Sequence, residues 1–309
     1  MPRIGSSDLD VLPLAVGGNV FGWTADEPTS FALLDAFTQR APLVIDTADG
    51  YSHWAPGHTG GESETIIGAW LAARPGARQR VVLATKVSTH PEFRGLAAAN
   101  VAAAARASLR RLGTDVIDLY WAHWDDASVP LEETAAAFSR LVDEGLVRYI
   151  GLSNYSAERI DEWFAIAERD GLHRPVAHQP GYNLVERGYE TASRPAAQRH
   201  GLGVLPYYAL ASGFLSGKYR PDEPTPATPR ADRAAGLLDD HGRAALAVLD
   251  EVAGAHGVEV ATVALAWLRV QPTVVAPIVS ASRTEQVPAL LASIDLELTD
   301  DELAALTAV

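Results

Sequence analysis

Four side chains in this sequence are of types that can move a proton together: Asp46, Tyr51, Lys86 and His123. Asp46 follows the apolar run Leu43-Val44-Ile45, Lys86 follows Val82-Leu83-Ala84-Thr85, and His123 follows Leu119-Tyr120-Trp121-Ala122. Tyr51 stands just beyond the first of these runs, in Asp46-Thr47-Ala48-Asp49-Gly50-Tyr51. A free phenol, with a pKa of about 10, is a poor proton donor at neutral pH, and a nearby ammonium lowers that value by favouring the phenolate. Lys86 supplies such a charge, Asp46 holds Lys86 ionised in a partly buried place, and His123 can hydrogen-bond and orient a carbonyl. Together they make a general acid for a developing alkoxide. One ionisable residue at a strand end more often serves structure, but three converging on one mouth favour chemistry.

Such convergence needs a scaffold that brings several strand ends together. Short apolar or β-branched runs recur at Leu14–Gly17, Leu43–Thr47, Val81–Lys86, Val116–His123, Val147–Ser153, Val176–Gln179, Gly203–Tyr207 and Val274–Val279. Between most of them, helical spacing of Ala, Leu and Ile marks Ser30–Arg40, Ser63–Arg74, Ala97–Arg111, Leu131–Glu144 and Ala157–Arg169. Continuously apolar strands alternating with amphipathic helices form a parallel sheet covered by helices. Eight such units predict an α/β fold, a (β/α)8 TIM barrel in which strand C-termini carry the working residues. Residues 1–309 are expected to form one barrel domain. Ahead of it, Ile4-Gly5-Ser6-Ser7-Asp8-Leu9-Asp10-Val11 reads as a β-hairpin plugging the bottom. Ala211–Gly242, with four prolines, predicts a long surface loop beside the mouth, followed by one extra helix.

Composition narrows the partners. With a net charge of −14 and no Lys/Arg run beyond two residues, nucleic acid is not an expected partner. No segment approaches the roughly 18 apolar residues of a membrane span, and no apolar signal core follows Met1, so a cytoplasmic location is expected. The absence of cysteine excludes disulfides and thiolate chemistry. His53 with His58, and His173 with His178, lack a third ligand at suitable spacing, so no metal is assigned. The glycosylation pattern Asn154-Tyr155-Ser156 is read as accidental. The oligomeric state is not read from the helix faces.

The tetrad motif resembles the first signature of the aldo-keto reductases, and Gly60-Gly61-Glu62-Ser63-Glu64 with Ile67-Gly68 matches the family's next segment. Further matches are Ala84-Thr85-Lys86, Asp118 to Asp125, Gly151-Leu152-Ser153-Asn154-Tyr155 and Gln179 to Leu184. They extend in order from Ile4 to about Leu306. The resemblance implies an NAD(P)H-dependent oxidoreductase acting on a small-molecule carbonyl substrate, with Tyr51 as the acid/base and Lys86, Asp46 and His123 beside it. It implies NADPH as cofactor, with NADH possible. Ser153, Asn154 and Gln179 would hold the carboxamide, Tyr207 would stack on the nicotinamide, and Gly18, Asn19 and Asp46 would border it. Leu210, Gly213, Leu215 and Lys218 fall in the loop over the pyrophosphate. Ser280, Ser282, Arg283 and Gln286 fall where the 2′-phosphate would meet a helix starting near Thr284. Three positions depart from the family pattern: Ala209 for Pro, Ser280 for Gly, and Leu290 for Asn near adenine. Trp23, Trp54 and Trp124 are read as a substrate wall.

Two rivals remain. One is a nicotinamide-binding redox sensor or regulatory subunit with little turnover, since the potassium-channel β-subunits resemble the same family. The other is a barrel glycosidase using Asp46 and Asp125, which would need carboxylates about 5–9 Å apart and leaves Lys86 and Tyr51 unexplained.

Overall fold

Strand and helix alternate along the computed structural model, which describes residues 1–221 and 223–309. The strands are β1 (Ala15–Gly17), β2 (Leu43–Asp46), β3 (Val81–Val87), β4 (Thr89–His90), β5 (Phe93–Arg94), β6 (Ile117–Ala122), β7 (Val147–Ser153), β8 (Ala177–Gln179), β9 (Gly203–Val204) and β10 (Ile278–Val279). Eight of them form a sheet in the order β10-β1-β2-β3-β6-β7-β8-β9, with every pairing parallel. Its open edges meet: Val204 N donates to Thr273 O at 2.9 Å, Val275 N to Val204 O at 2.8 Å, and Ile278 N to Pro206 O at 2.9 Å. The eight strands therefore close as a (β/α)8 barrel. The other two, β4 and β5, make a small antiparallel ribbon at the end of β3.

Helices α1 (Glu27–Phe37), α2 (Glu62–Ala73), α3 (Ala98–Leu112), α4 (Leu131–Asp143) and α5 (Ala157–Asp170) follow the first barrel strands in turn. Local chemistry sets their ends. Asp26 caps α1 by accepting from Thr29 N at 3.0 Å, Ser156 caps α5 by accepting from Arg159 N at 3.3 Å, and Gly171 ends α5 in the left-handed region at φ 66°. Two short helices, α6 (Tyr189–Ala192) and α7 (Arg194–Arg199), lie between β8 and β9 in the chain. Beyond β9 come α8 (Ala231–Ala235), α9 (Asp240–His256) and α10 (Val260–Arg269), and after β10 come α11 (Val287–Ala292) and α12 (Asp300–Thr307). The expected extra helix is α9, with α8 and α12 added. No helix among the described residues is long and apolar enough to cross a membrane.

The last two barrel strands are shorter than their apolar runs. Pro206 and Pro277 lack an N–H, so each accepts from a neighbouring strand but cannot donate to one.

Side-chain alternation separates floor from rim. Val44 on β2, Val82 and Ala84 on β3, Leu119 and Trp121 on β6, and Ala177 on β8 fill the barrel interior. The next residue of the same parity on each strand is Asp46, Lys86, His123 and Gln179. One alternation step therefore carries each strand from apolar floor to polar rim. Trp121 crosses the floor opposite Gly151, where an added Cβ would lie 2.2 Å from the indole. Beneath, Ile4 N donates to Leu9 O and Val11 N to Pro2 O, both at 3.0 Å, forming the expected hairpin. Ile4, Leu9 and Val11 are buried in the same apolar cluster as the floor and plug the bottom.

Candidate active site

The barrel mouth opens into a cleft of 1440 Å³, larger than the roughly 300–1,000 Å³ that suits a drug-sized ligand. Lys86 stands at its base, fully buried. All three of its ammonium hydrogens are matched: Nζ lies 2.5 Å from Asp46 Oδ2, 2.7 Å from Thr47 O and 3.0 Å from Tyr51 Oη. Asp46 accepts on its other oxygen from Gln179 Nε2 at 3.0 Å. Register explains the meeting, because Asp46 pairs with Ala84, which places Lys86 one alternation step above it on the neighbouring strand.

The loop carrying Tyr51 is pinned on two sides. Ser52 Oγ donates to Phe21 O at 2.7 Å, and Gly50 lets the ribbon pass so closely that a Cβ there would lie 2.8 Å from Thr89 Oγ1. Burial raises the Tyr51 phenol, Lys86 pulls it down and Asp46 pushes it up again. The net change is upward, opposite to the expectation from the ammonium alone, so Tyr51 keeps its proton at neutral pH. Burial also pulls Lys86 down, but Asp46 and then Tyr51 more than reverse this and hold it charged. Burial, then Lys86, push His123 far below its usual value, leaving a neutral imidazole. Thr89 Oγ1 lies 3.4 Å from His123 Nδ1, and as a donor there it leaves the ring hydrogen on Nε2. The His123 ring meets Tyr51 edge-on, with centroids 6.1 Å apart.

Most residues expected along the cleft line it: Asn19, Ser153, Asn154, Gln179, Tyr207, Leu210, Gly213, Lys218, Ser280, Ser282, Arg283 and Gln286. Gly18 and Leu215 do not. Gly18 packs against Ser63, whose Oγ donates to its carbonyl at 2.7 Å, and Leu215 is wholly buried in the core. Asn154, at φ 60°, accepts from Tyr207 Oη at 2.7 Å and donates to His123 O at 2.9 Å. Ser153 Oγ donates to Gln179 O at 3.1 Å. Ser280 Oγ ties the barrel seam by donating to Gly17 O at 2.9 Å and contacting Asn19 Oδ1 at 2.7 Å.

The turn expected near Thr284 is a single 3-10 turn, Thr284–Gln286, leading into α11. Its donors are already engaged: Gln286 Oε1 accepts from Ser282 N at 2.9 Å and Arg283 N at 3.2 Å. Side chains rather than these two N–H groups are therefore what that end offers an anion. Trp23, Trp54 and Trp124 all line the mouth. Trp54 meets Trp23 at 5.6 Å and Tyr51 at 6.1 Å, and Trp124 stacks on His123 at 6.3 Å.

Sequence reasoning missed Tyr208, Arg230, Arg233 and Glu186, which also line the cleft. The two arginines come from the proline-rich stretch before α9, where no periodicity marks a facing side. Asp125, the second acid of the glycosidase alternative, is held by Arg159 at 2.7 and 2.8 Å. Both acids of that alternative are thus tied to cations.

A family model described as "Aldo/keto reductase family" matches residues 13–309. The chain belongs to the aldo/keto reductase family. Relatives of this aldo/keto reductase include the uncharacterized oxidoreductase YrpG of Bacillus subtilis, 34% identical over 98% of this chain and 93% of that protein. Norsolorinic acid reductase B of Aspergillus parasiticus is 31% identical over 97% of this chain and 81% of its own. A probable voltage-gated potassium channel subunit beta of Arabidopsis thaliana is 31% identical over 95% and 90%. Of the three departures from the aldo/keto reductase pattern, Ser280 serves the seam, Ala209 is buried, and Leu290 is a buried apolar residue at the cleft edge.

Proposed function

We propose that this aldo/keto reductase reduces aldehydes or ketones to alcohols, using NADPH in preference to NADH, with Tyr51 as the general acid. The observation that carries this reading is the buried line Asp46, Lys86 and Tyr51, with the phenol oxygen 3.0 Å from the ammonium at the base of an open cleft. Donors in the cleft suit an anionic dinucleotide. Ser212 Oγ is buried there without a partner among the described residues, and Lys218 Nζ would lie 3.2 Å from a Cβ on Gly213, which has φ 95°. Ser153, Asn154 and Gln179 would hold the carboxamide, Tyr207 the ring face, and Lys218 with Arg283 the phosphates. A nicotinamide bound there supplies the hydride for the carbonyl carbon.

The chain's own groups handle the oxygen. Tyr51, protonated and aimed into the cleft, donates its hydrogen as negative charge grows on the carbonyl oxygen. Lys86 then stabilises the phenolate through the contact it already makes, and Asp46 fixes the ammonium so that little reorganisation is needed. His123 Nε2–H orients the same oxygen. Trp23, Trp54 and Trp124 present apolar faces beside the reacting atoms.

The test is loss of NADPH absorbance with a panel of small carbonyl compounds. Tyr51→Phe should lower kcat at least about 100-fold while NADPH still quenches tryptophan fluorescence. Full activity in Tyr51→Phe would overturn the assignment. NADPH binding with no turnover of any carbonyl would favour a redox sensor instead, a reading motivated by the plant relatives named as channel subunits.

A further inference from the structure

In a chain of net charge −14, most arginines among the described residues lie against a carboxylate. The Arg230 guanidinium does not: it pairs with no carboxylate and makes no hydrogen bond among the described residues, although Arg230 lines the cleft. Its neighbour Arg233 shows the contrast. Arg233 reaches Glu186 at 3.1 Å and lies 4.0 Å above the Tyr208 ring, so its charge is answered locally. Asp46, the acid of the tetrad, is committed to Lys86 and Gln179. Among the described residues, no carboxylate of the mouth pairs with Arg230.

Position separates Arg230 from the other free cations of the cleft. Lys218 lies beside Gly213, and Arg283 adjoins the turn before α11. Arg230 instead sits against the aromatic wall, its guanidinium carbon 5.5 Å from the Trp23 ring centroid. Trp23 leads through Trp54 to Tyr51 in two edge contacts of 5.6 and 6.1 Å. A carbonyl group placed at Tyr51 Oη would therefore have its remote end beside Trp23 and Arg230. The fields of the cations overlap without an answering anion, since Lys218 is held down by burial, then by Arg283 and Arg230. A partly desolvated guanidinium left unpaired is costly, and an arriving carboxylate relieves that cost with paired N–H donors in fixed geometry.

We propose that Arg230 recognises an anionic group on the substrate, so that the preferred substrates are aldehydes or ketones with a planar or apolar body and a carboxylate remote from the carbonyl. This rests on the reductase reading given above. The same chemistry could come from a cofactor phosphate, and the experiment separates the two sources.

The probes are 4-carboxybenzaldehyde and its neutral analogue 4-methylbenzaldehyde, with NADPH, against wild type, Arg230→Met and Arg230→Lys. Wild type should prefer the carboxylated aldehyde in kcat/KM. Arg230→Met should lower kcat/KM for it about 10- to 100-fold more than for the methyl compound, mainly through KM, and Arg230→Lys should recover part of the loss. Equal losses on both aldehydes, or no carboxylate preference in wild type, would overturn the proposal while leaving the reductase standing. A tenfold weaker NADPH Kd in Arg230→Met would overturn it in favour of a phosphate contact. If neither aldehyde is reduced, the reductase reading fails first. Terephthalate quenching of tryptophan fluorescence then decides the anion site alone: binding lost in Arg230→Met supports it, and binding unchanged in that variant refutes it.

Discussion

Replacing Lys86 by Met keeps most of the side-chain length and deletes the charge. Asp46 would then hold a buried carboxylate with only Gln179 as donor, and Thr47 O would lose its partner. Removing one member of a buried pair costs about 3–5 kcal/mol, and the stranded carbonyl adds about 1 kcal/mol. Asp46→Asn strands the ammonium instead and should cost a similar amount. Combining the two changes leaves no unmatched charge, so the double variant should be less destabilised than either single one, with a coupling of at least about 2 kcal/mol. Activity should behave differently. Lys86→Met and the double variant should both lose roughly 100-fold or more in kcat, because Tyr51 lacks its stabilising donor in each. Urea unfolding followed by tryptophan fluorescence measures the first quantity, with m-values checked for equality, and steady-state kinetics the second. If the double variant's stability loss equalled the sum of the single losses, the two groups would be energetically independent and the tetrad would not act as one unit.

Other consequences can be measured directly. Asp49 is fully buried with neither carboxyl oxygen bonded, and burial, then Glu64, raise its pKa well above the ordinary value. Its native proton is a stabilising one below about pH 4 that is lost as pH rises through the raised native value. Wild type should therefore lose up to about 1.4 kcal/mol per pH unit relative to Asp49→Asn across that window, and parallel Tm–pH curves would refute this. His178 is buried between Leu152 O and Ser193 Oγ, and burial lowers it to about 4. The unfolded chain binds the proton first, so acidification from pH 6.5 toward 4 should cost about 3 kcal/mol, a limb that His178→Gln should flatten. Gly151→Ala drives a methyl group into the Trp121 ring and should destabilise by more than the usual 1–3 kcal/mol of overpacking, read as a Tm loss that Trp121→Leu partly restores.

The barrel and the tetrad are legible in the sequence because both obey short-range rules. An apolar run ending in an ionisable residue places Asp46, Lys86 and His123 without knowledge of contacts. The limits of β9 and β10 are less legible, since Pro206 and Pro277 remove N–H donors inside runs that remain apolar. The ribbon at Thr89–Arg94 is too short to show alternation, and α6 and α7 are too short to show a helical period. Motif matching places Gly18 and Leu215 in the cleft, but whether a matched residue faces the cleft or the core depends on packing around it. The sign of the Tyr51 shift escapes the sequence for the same kind of reason, because burial competes with the ammonium and burial is a property of the whole fold. Arg230 reaches the mouth by way of a loop whose course no local spacing encodes.

The alternation that sets a polar group above an apolar rung on each strand keeps the reactive layer a single residue deep. A change at Asp46, Lys86, His123 or Gln179 leaves the supporting rungs at Val44, Ala84, Trp121 and Ala177 in place. The foundations and the tooling can thus be varied on separate schedules: new reactivity can be tried by exchanging rim residues while the chain goes on closing the same cylinder, provided Asp46 and Lys86 change together so that neither charge is stranded.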